Sequence, residues 1–256
     1  MKLFIAAILD GAVNREIFME SEFNLQTFYY MNKYKERMIE EFIKSNGQDN
    51  FILDSGAFSM FSGSVKKLNY SYLKTYIDKY CDYINYYDIK NFIEMDIDRI
   101  IGYETVLKIR EYIKNKTNKK PIEVWHTWRG IDEFKKSCKE NEWVFVGIKE
   151  KVNKIKTFQY LIDLAFEYGT KLHILGYTPL YLEKFKNLYS CDSTTWSSGG
   201  RYSNVYFFEN NKMTMVKKPD NTMRREDTDV YLDLNEHNLR QWIKYQKFLK
   251  DKSWKL

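Results

Sequence analysis

Short apolar runs recur along the chain, each followed by a segment with helical spacing. This alternation predicts repeated βα units around a parallel sheet. The runs expected as strands are Leu3–Ile8, Phe51–Leu53, Phe92–Met95, Ile122–Trp125, Val144–Ile148, Leu172–Leu175 and Leu188–Cys191, seven in all and one short of a closed eight-stranded barrel. Between them, Leu73, Tyr76, Ile77, Tyr80, Ile84 and Tyr87 follow the i, i+3, i+4, i+7 rhythm of a helix that buries one face, as do Ile155, Phe158, Leu161, Ile162 and Ala165. A longer helix is expected from Leu25 to Ile43, stopped by Gly47, and another from about 235 to 250. Between Trp196 and Tyr231 the rhythm changes. "SSGGRYSN" is a polar loop, and "VYFFENNKMTMV" alternates around Asn210-Asn211 as a β-hairpin does, which marks an insertion over about 197–231. The expected fold is therefore an α/β chain of the TIM (β/α)8 type, one domain over 1–256, with a hairpin-bearing insertion near its C-terminus.

Composition narrows this picture without redirecting it. The 256 residues suit one barrel of about 250 residues. A 44% hydrophobic content with only 3 Pro and 11 Gly supplies a core. A net charge of +6 permits a polyanionic partner without demanding one, because the basic residues are spread along the chain. Cys81, Cys138 and Cys191 are odd in number and far apart, which argues against a disulfide framework or a Cys-rich zinc site and for a reducing cytoplasm. The opening "MKLFIAAILDG" is too short to span a membrane, since Asp10 ends it, and it reads as a first strand.

The chemistry gathers where the strands end. Asp54 follows the second run, Asp96 and Asp98 the third, His126 the fourth, "GIKE" at 147–150 the fifth, His173 and Gly176 the sixth, and Asp192 the seventh. In parallel α/β sheets this edge carries the ligand site. Three carboxylates with nearby glycines suit covalent or acid–base chemistry on a polar group such as a sugar or base. Three His without HxH spacing disfavour a multi-His metal centre, and no Gly-rich phosphate loop is present. Taken singly, Asp96, Asp98 and Asp192 equally suit helix caps, and Asp54-Ser55-Gly56 suits a turn.

Read in order, "DSGAFS", "IEMDID", "VGIKE" and "HILGYTPLYLEKFKNLYSCDSTTW" resemble the tRNA-guanine transglycosylase family, most closely its short phage-type members linked to 7-deazaguanine modification of DNA. The resemblance runs from about Asp54 to Arg201. It implies a TIM barrel that exchanges guanine in a polynucleotide for a 7-deazaguanine through a covalent enzyme–nucleic-acid intermediate. By that resemblance Asp192 stands where the nucleophile lies and Asp54 where the proton-transfer carboxylate lies. Asp96 stands where guanine's edge is read. Ser55, Gly56, Gly147, Ile148, Lys149, His173 and Gly176 belong to the substrate-binding segments, and Phe58, Tyr177 and Trp196 are candidates to hold an unstacked base. Arg201, Lys217, Lys218, Arg224 and Arg225 are candidates to track a phosphate backbone. The implied partners are a nucleic acid, DNA favoured with tRNA as the other polymer, and a free 7-deazaguanine-type base; a homodimer is left open, and no membrane, cofactor or metal is expected.

Three departures from the family pattern stand out. "CDSTTW" offers Asp192 without the second Asp of the usual nucleophile motif, no Cys-x-Cys-x-x-Cys zinc motif follows it, and "VGIKE" has one Gly where the family has a pair, with Lys149 adding a charge. Two other readings stay open: an N-glycosidase in which water replaces the incoming base, and a catalytically degenerate barrel that only binds a base or nucleic acid.

Overall fold

The computed structural model describes residues 1–10, 15–61, 70–148, 154–217 and 228–251, without the side chains of Phe58, Phe61, Arg201 and 228–233. The fold is α/β. Seven strands form a curled parallel sheet, a half-barrel, flanked by helices. They are β1 (Lys2–Ala6), β2 (Asn24–Thr27), β3 (Phe51–Asp54), β4 (Glu123–His126), β5 (Trp143–Gly147), β6 (Lys171–Ile174) and β7 (Ser190–Ser193), in the order β3-β2-β1-β7-β6-β5-β4. Two further strands, β8 (Asn204–Glu209) and β9 (Lys212–Lys217), form a separate antiparallel pair.

Two expectations need correction. β2 lies in the segment expected to begin a helix at Leu25; the helix there is Lys33–Asn46, and Asn32 caps it by accepting a bond from the Lys35 amide. The run Phe92–Met95, expected as a strand, contributes isolated parallel bridges only, Leu53 with Phe92 and Ile93 with Ile122.

The chain divides into two compact units, Leu25–Val124 and the remainder, Met1–Asn24 with Trp125–Leu256. In the central unit the helix Tyr70–Tyr86 buries Leu73, Tyr76, Ile77, Tyr80 and Ile84, the stripe its periodicity predicts. Tyr80 is fully buried, and its hydroxyl reaches the carbonyls of Leu53 at 3.2 Å and Ile93 at 2.8 Å, so one side chain can donate to either of two neighbouring segments. Phe28 packs on Tyr76, Tyr80 and Tyr83 with ring centroids 5.3, 5.3 and 5.5 Å away. Fully burying an aromatic or aliphatic side chain of this kind stabilises the fold by about 1.5–3 kcal/mol.

In the other unit β1, β7, β6 and β5 run parallel, with Phe4 opposite Asp192 and Phe145 opposite His173. Phe4, Trp143, Phe145 and His173 form one aromatic cluster, in which the His173 ring stacks on Phe145 with centroids 4.0 Å apart. The helix Thr228–Lys250 closes this unit. Gln246 accepts a bond from the Glu22 amide and donates to the carbonyls of Leu3 at 2.7 Å and Phe23 at 2.8 Å.

The hairpin turns at Asn210 and Asn211 with φ of +50° and +60°, the two left-handed positions that a two-residue hairpin loop requires and that Asn tolerates. Its open edge is not left bare. Asn238 accepts from the Tyr206 amide and donates to the Asn204 carbonyl, and Gln241 accepts from the Phe208 amide, so helix side chains stand in for a missing strand. Among the described residues no helix is long and apolar enough to cross a membrane.

Candidate functional site

The expected site residues divide between the two units. In the central unit, β3 delivers Asp54 at its carboxyl end. Asp54 Oδ2 accepts a bond from the Gly56 amide at 3.1 Å, which folds Asp54-Ser55-Gly56 into a tight turn. Gly56 has φ +73°, and a Cβ there would lie 2.5 Å from Tyr29 Cβ and 2.8 Å from Thr27 Oγ1. Glycine is thus required both by backbone conformation and by close approach. Tyr76 donates to the Ser55 carbonyl at 2.6 Å, and burial, with the Asp54 charge beside it, holds its phenol well above the usual range. The phenol therefore stays a donor and fixes the turn. Asp96 is half-buried, while Asp98 opens the helical turn Asp98–Ile101, the position at which a carboxylate favours a helix N-terminus.

The same unit holds a buried charge network that sequence reading missed. Glu94 has no exposed surface; it accepts from Arg110 Nε at 2.7 Å and from the Val124 amide at 2.8 Å, and Arg110 Nη1 reaches Glu123 at 3.1 Å. Burial, partly offset by Arg110, pushes the Glu94 carboxyl up to about 7. Its signal in the sequence was a Glu inside the apolar run "FIEM".

In the other unit the structure brings Asp192, His173 and Gly176 together. Asp192 sits inside β7, one residue from its end, rather than just beyond a strand ending at Cys191. Its Oδ1 accepts from the Gly176 amide at 2.8 Å and lies 3.2 Å from His173 Nε2. The other ring nitrogen, Nδ1, lies 2.9 Å from Ser190 Oγ. One tautomer satisfies both contacts: Nε2–H donates to Asp192 and Nδ1 accepts from the Ser190 hydroxyl. Burial lowers the His173 pKa below its ordinary value against the pull of Asp192, so the ring is neutral near pH 7. Ser190 has no exposed surface and therefore orients the ring instead of attacking a substrate. With Oδ1 taking both bonds, Oδ2 is the Asp192 oxygen left to meet a ligand.

Further along, Ser193, Thr178 and Thr195 form a hydroxyl chain, with Thr178 Oγ1 at 2.7 Å from Ser193 Oγ and 3.2 Å from Thr195 Oγ1. Trp196 was expected as a stacking platform, but it is 3% exposed and donates through Nε1 to the Ala6 carbonyl at 2.9 Å, so it packs inside this unit. Tyr177 stacks on Phe158 at 5.0 Å with Lys154 over its face at 5.2 Å. Gly147 gives its carbonyl to His126 Nδ1 at 3.0 Å, and a Cβ on it would come within 2.7 Å of that ring, which accounts for glycine here. Ile148 is buried next to it.

Of the expected basic residues, Lys217 is exposed at the end of β9, opposite Asn204. Arg201 lies in the helical turn Gly199–Tyr202, described by its backbone alone. Lys149, Lys218, Arg224 and Arg225 lie outside the described residues, as does the side chain of Phe58.

No protein-family model matches the chain, and no curated protein does. A solved chain described as "Structural study of Project ID from Aquifex aeolicus VF5" is similar in fold, with a TM-score of 0.55 at 10% identity over 98% of this chain and 92% of that one. At that identity the likeness concerns the fold alone.

Proposed function

We propose that the chain exchanges guanine in a nucleic acid, DNA by preference, for a 7-deazaguanine base, as a short phage-type relative of the tRNA-guanine transglycosylases. The observation that carries this reading is the fixing of Asp192: a neutral imidazole and a backbone amide hold Oδ1, which leaves Oδ2 presented as a nucleophile. In the proposed first step Asp192 Oδ2 bonds to the sugar's anomeric carbon while the glycosidic C–N bond breaks, and Asp54 protonates the departing guanine. In the second step Asp54 takes the proton from the incoming base, whose nitrogen attacks the same carbon and releases the Asp192 carboxylate. Asp96 reads the base edge. No electrons change hands overall, and one base replaces another.

The reading includes a closed (β/α)8 barrel and a cytoplasmic setting. The two isolated bridges that Phe92 and Ile93 make to Leu53 and Ile122 support closure.

The test is intact-mass analysis after mixing the protein with guanine-containing DNA or tRNA, quenching with denaturant and comparing Asp192→Ala. A protein–nucleic-acid adduct that requires Asp192 is the expected result and identifies the polymer. Release of guanine with no adduct and no uptake of 7-deazaguanine would replace exchange with hydrolysis.

A further inference from the structure

β2 is followed by three consecutive aromatic residues, Phe28, Tyr29 and Tyr30, in one helical turn that precedes the helix Lys33–Asn46. Phe28 alone serves the core, packed on Tyr76, Tyr80 and Tyr83. Tyr29 and Tyr30 are 37% and 51% exposed, and their rings meet edge to face with centroids 4.9 Å apart. The pair sits directly on the Asp54 turn. A Cβ at Gly56 would lie 2.5 Å from Tyr29 Cβ and 2.9 Å from its backbone nitrogen, and the Tyr29 ring lies 6.4 Å from that of Tyr76, whose hydroxyl holds the Ser55 carbonyl. All of these contacts lie within the Leu25–Val124 unit.

The pair also meets cations. The Lys35 ammonium stands over the Tyr30 ring, 5.8 Å from its centroid. Lys33 and Arg37, at i and i+4 and so on one face of the same helix, are both exposed, and among the described residues neither forms an ion pair. Glu36, the carboxylate between them, is engaged by the Tyr87 hydroxyl at 3.3 Å. Basic residues at the start of a helix run against its dipole, which favours carboxylates there. Neither the helix nor the core explains this surface: the cations disfavour the one, and the two tyrosines stand outside the other.

Exposed rings beside unneutralised cations suit a partner that carries flat apolar faces on an anionic chain. An unpaired polynucleotide strand has both, and stacking on aromatic side chains accepts any base because every base has a π-face. A duplex hides those faces between its base pairs. We propose that Tyr29 and Tyr30 form a stacking platform for an unpaired nucleotide next to the one undergoing exchange, with Lys33 and Arg37 taking the phosphates of its strand. This rests on the base-exchange reading for its polymer, and it adds residues and a mode of recognition on which that reading does not depend.

The test titrates the intact protein with short single-stranded DNA carrying one guanine, and with RNA of the same sequence, by fluorescence anisotropy, alongside thermal melting. Tyr30→Leu is expected to bind the preferred strand about ten-fold more weakly, to melt with the wild type and to bind free 7-deazaguanine unchanged, while Tyr30→Phe, which keeps the ring, retains strand affinity. Lys33→Gln combined with Arg37→Gln is expected to flatten the salt dependence, by about 0.7 in the log–log slope for each phosphate contact removed. Undiminished strand binding by Tyr30→Leu overturns the inference, as does an equal loss in Tyr30→Phe or an unchanged salt slope. Irradiating the wild type with the same strands carrying 5-iodouracil, followed by peptide mapping, decides the matter if Tyr30→Leu melts early: attachment at Tyr29 or Tyr30 is expected, and its absence overturns the platform. An Asp192-dependent adduct together with an indifferent Tyr30→Leu overturns this inference and leaves exchange standing. Ring-dependent strand binding without an adduct does the reverse.

Discussion

His173 holds Asp192 by the nitrogen farther from its own backbone: Nε2 lies 3.2 Å from Asp192 Oδ1, while Nδ1 takes the Ser190 hydroxyl at 2.9 Å. The ring is clamped edge-on by these two bonds and face-on by Phe145, 4.0 Å away at an interplanar angle of 13°. A ring restrained in both directions has one orientation, and the carboxylate it supports inherits that precision.

This clamp gives stability a definite pH dependence. The pKa of His173 in the folded chain is below its ordinary value of 6.5. The unfolded chain therefore takes up a proton first as pH falls, so the contribution is fully present above 6.5 and is lost on acidification towards the folded value. Urea titrations between pH 5 and 8 should show stability falling below about pH 6.5. His173→Phe should flatten that slope while costing about 1–3 kcal/mol, because Ser190 loses its buried partner.

Glu94 should act in the opposite sense. Its folded carboxyl is raised from 4.5 to about 7, so the folded chain holds the proton more tightly. The stability this adds is complete below 4.5 and is lost as pH rises towards about 7. Glu94→Gln keeps an acceptor for the Val124 amide and removes the titration, so its denaturation midpoint should vary less than the wild type's over that window. Glu94→Ala, which also leaves the Val124 amide without its acceptor, should be the less stable of the two.

Gly56→Ala should be among the most harmful single-methyl additions in the chain. It places a Cβ 2.5 Å from that of Tyr29 on a backbone with φ +73°. A loss of about 2–4 kcal/mol in guanidinium unfolding is expected, together with weakened base capture, because the turn that presents Asp54 must shift.

Trp196→Phe separates packing from stacking. The variant keeps an aromatic ring but loses the 2.9 Å bond to the Ala6 carbonyl. A stability loss of about 1–2 kcal/mol with nucleic-acid affinity unchanged is the expected outcome of a melt paired with a binding titration. A large loss of affinity at unchanged stability would return Trp196 to the binding surface.

Much of the fold follows from periodicity. The stripe of Tyr70–Tyr86 and the Asn210-Asn211 hairpin were legible because each obeys a local rule, 3.6-residue spacing in one case and left-handed turn residues in the other. β2 was not, because Asn24 and Gln26 break its apolar run and the helical pattern beginning at Lys33 absorbs its end. The site shows the same division. Asp54 and Asp192 stand out as carboxylates closing apolar runs, whereas the Ser190–His173 and Glu94–Arg110–Glu123 partnerships join residues 13 to 17 apart and become visible only when strands and helices are placed side by side.

The Gln246 amide makes three bonds to segments more than 220 residues earlier in the chain, at Leu3, Glu22 and Phe23. On the ribosome, the first strand therefore emerges long before the side chain that ties it down. The unit made of Met1–Asn24 and Trp125–Leu256 can be completed only after synthesis has passed residue 246, and until then the apolar faces of β1 stay open to capture by chaperones or to misassembly. Shortening the last helix should consequently show first as a fall in soluble yield, ahead of any change in chemistry.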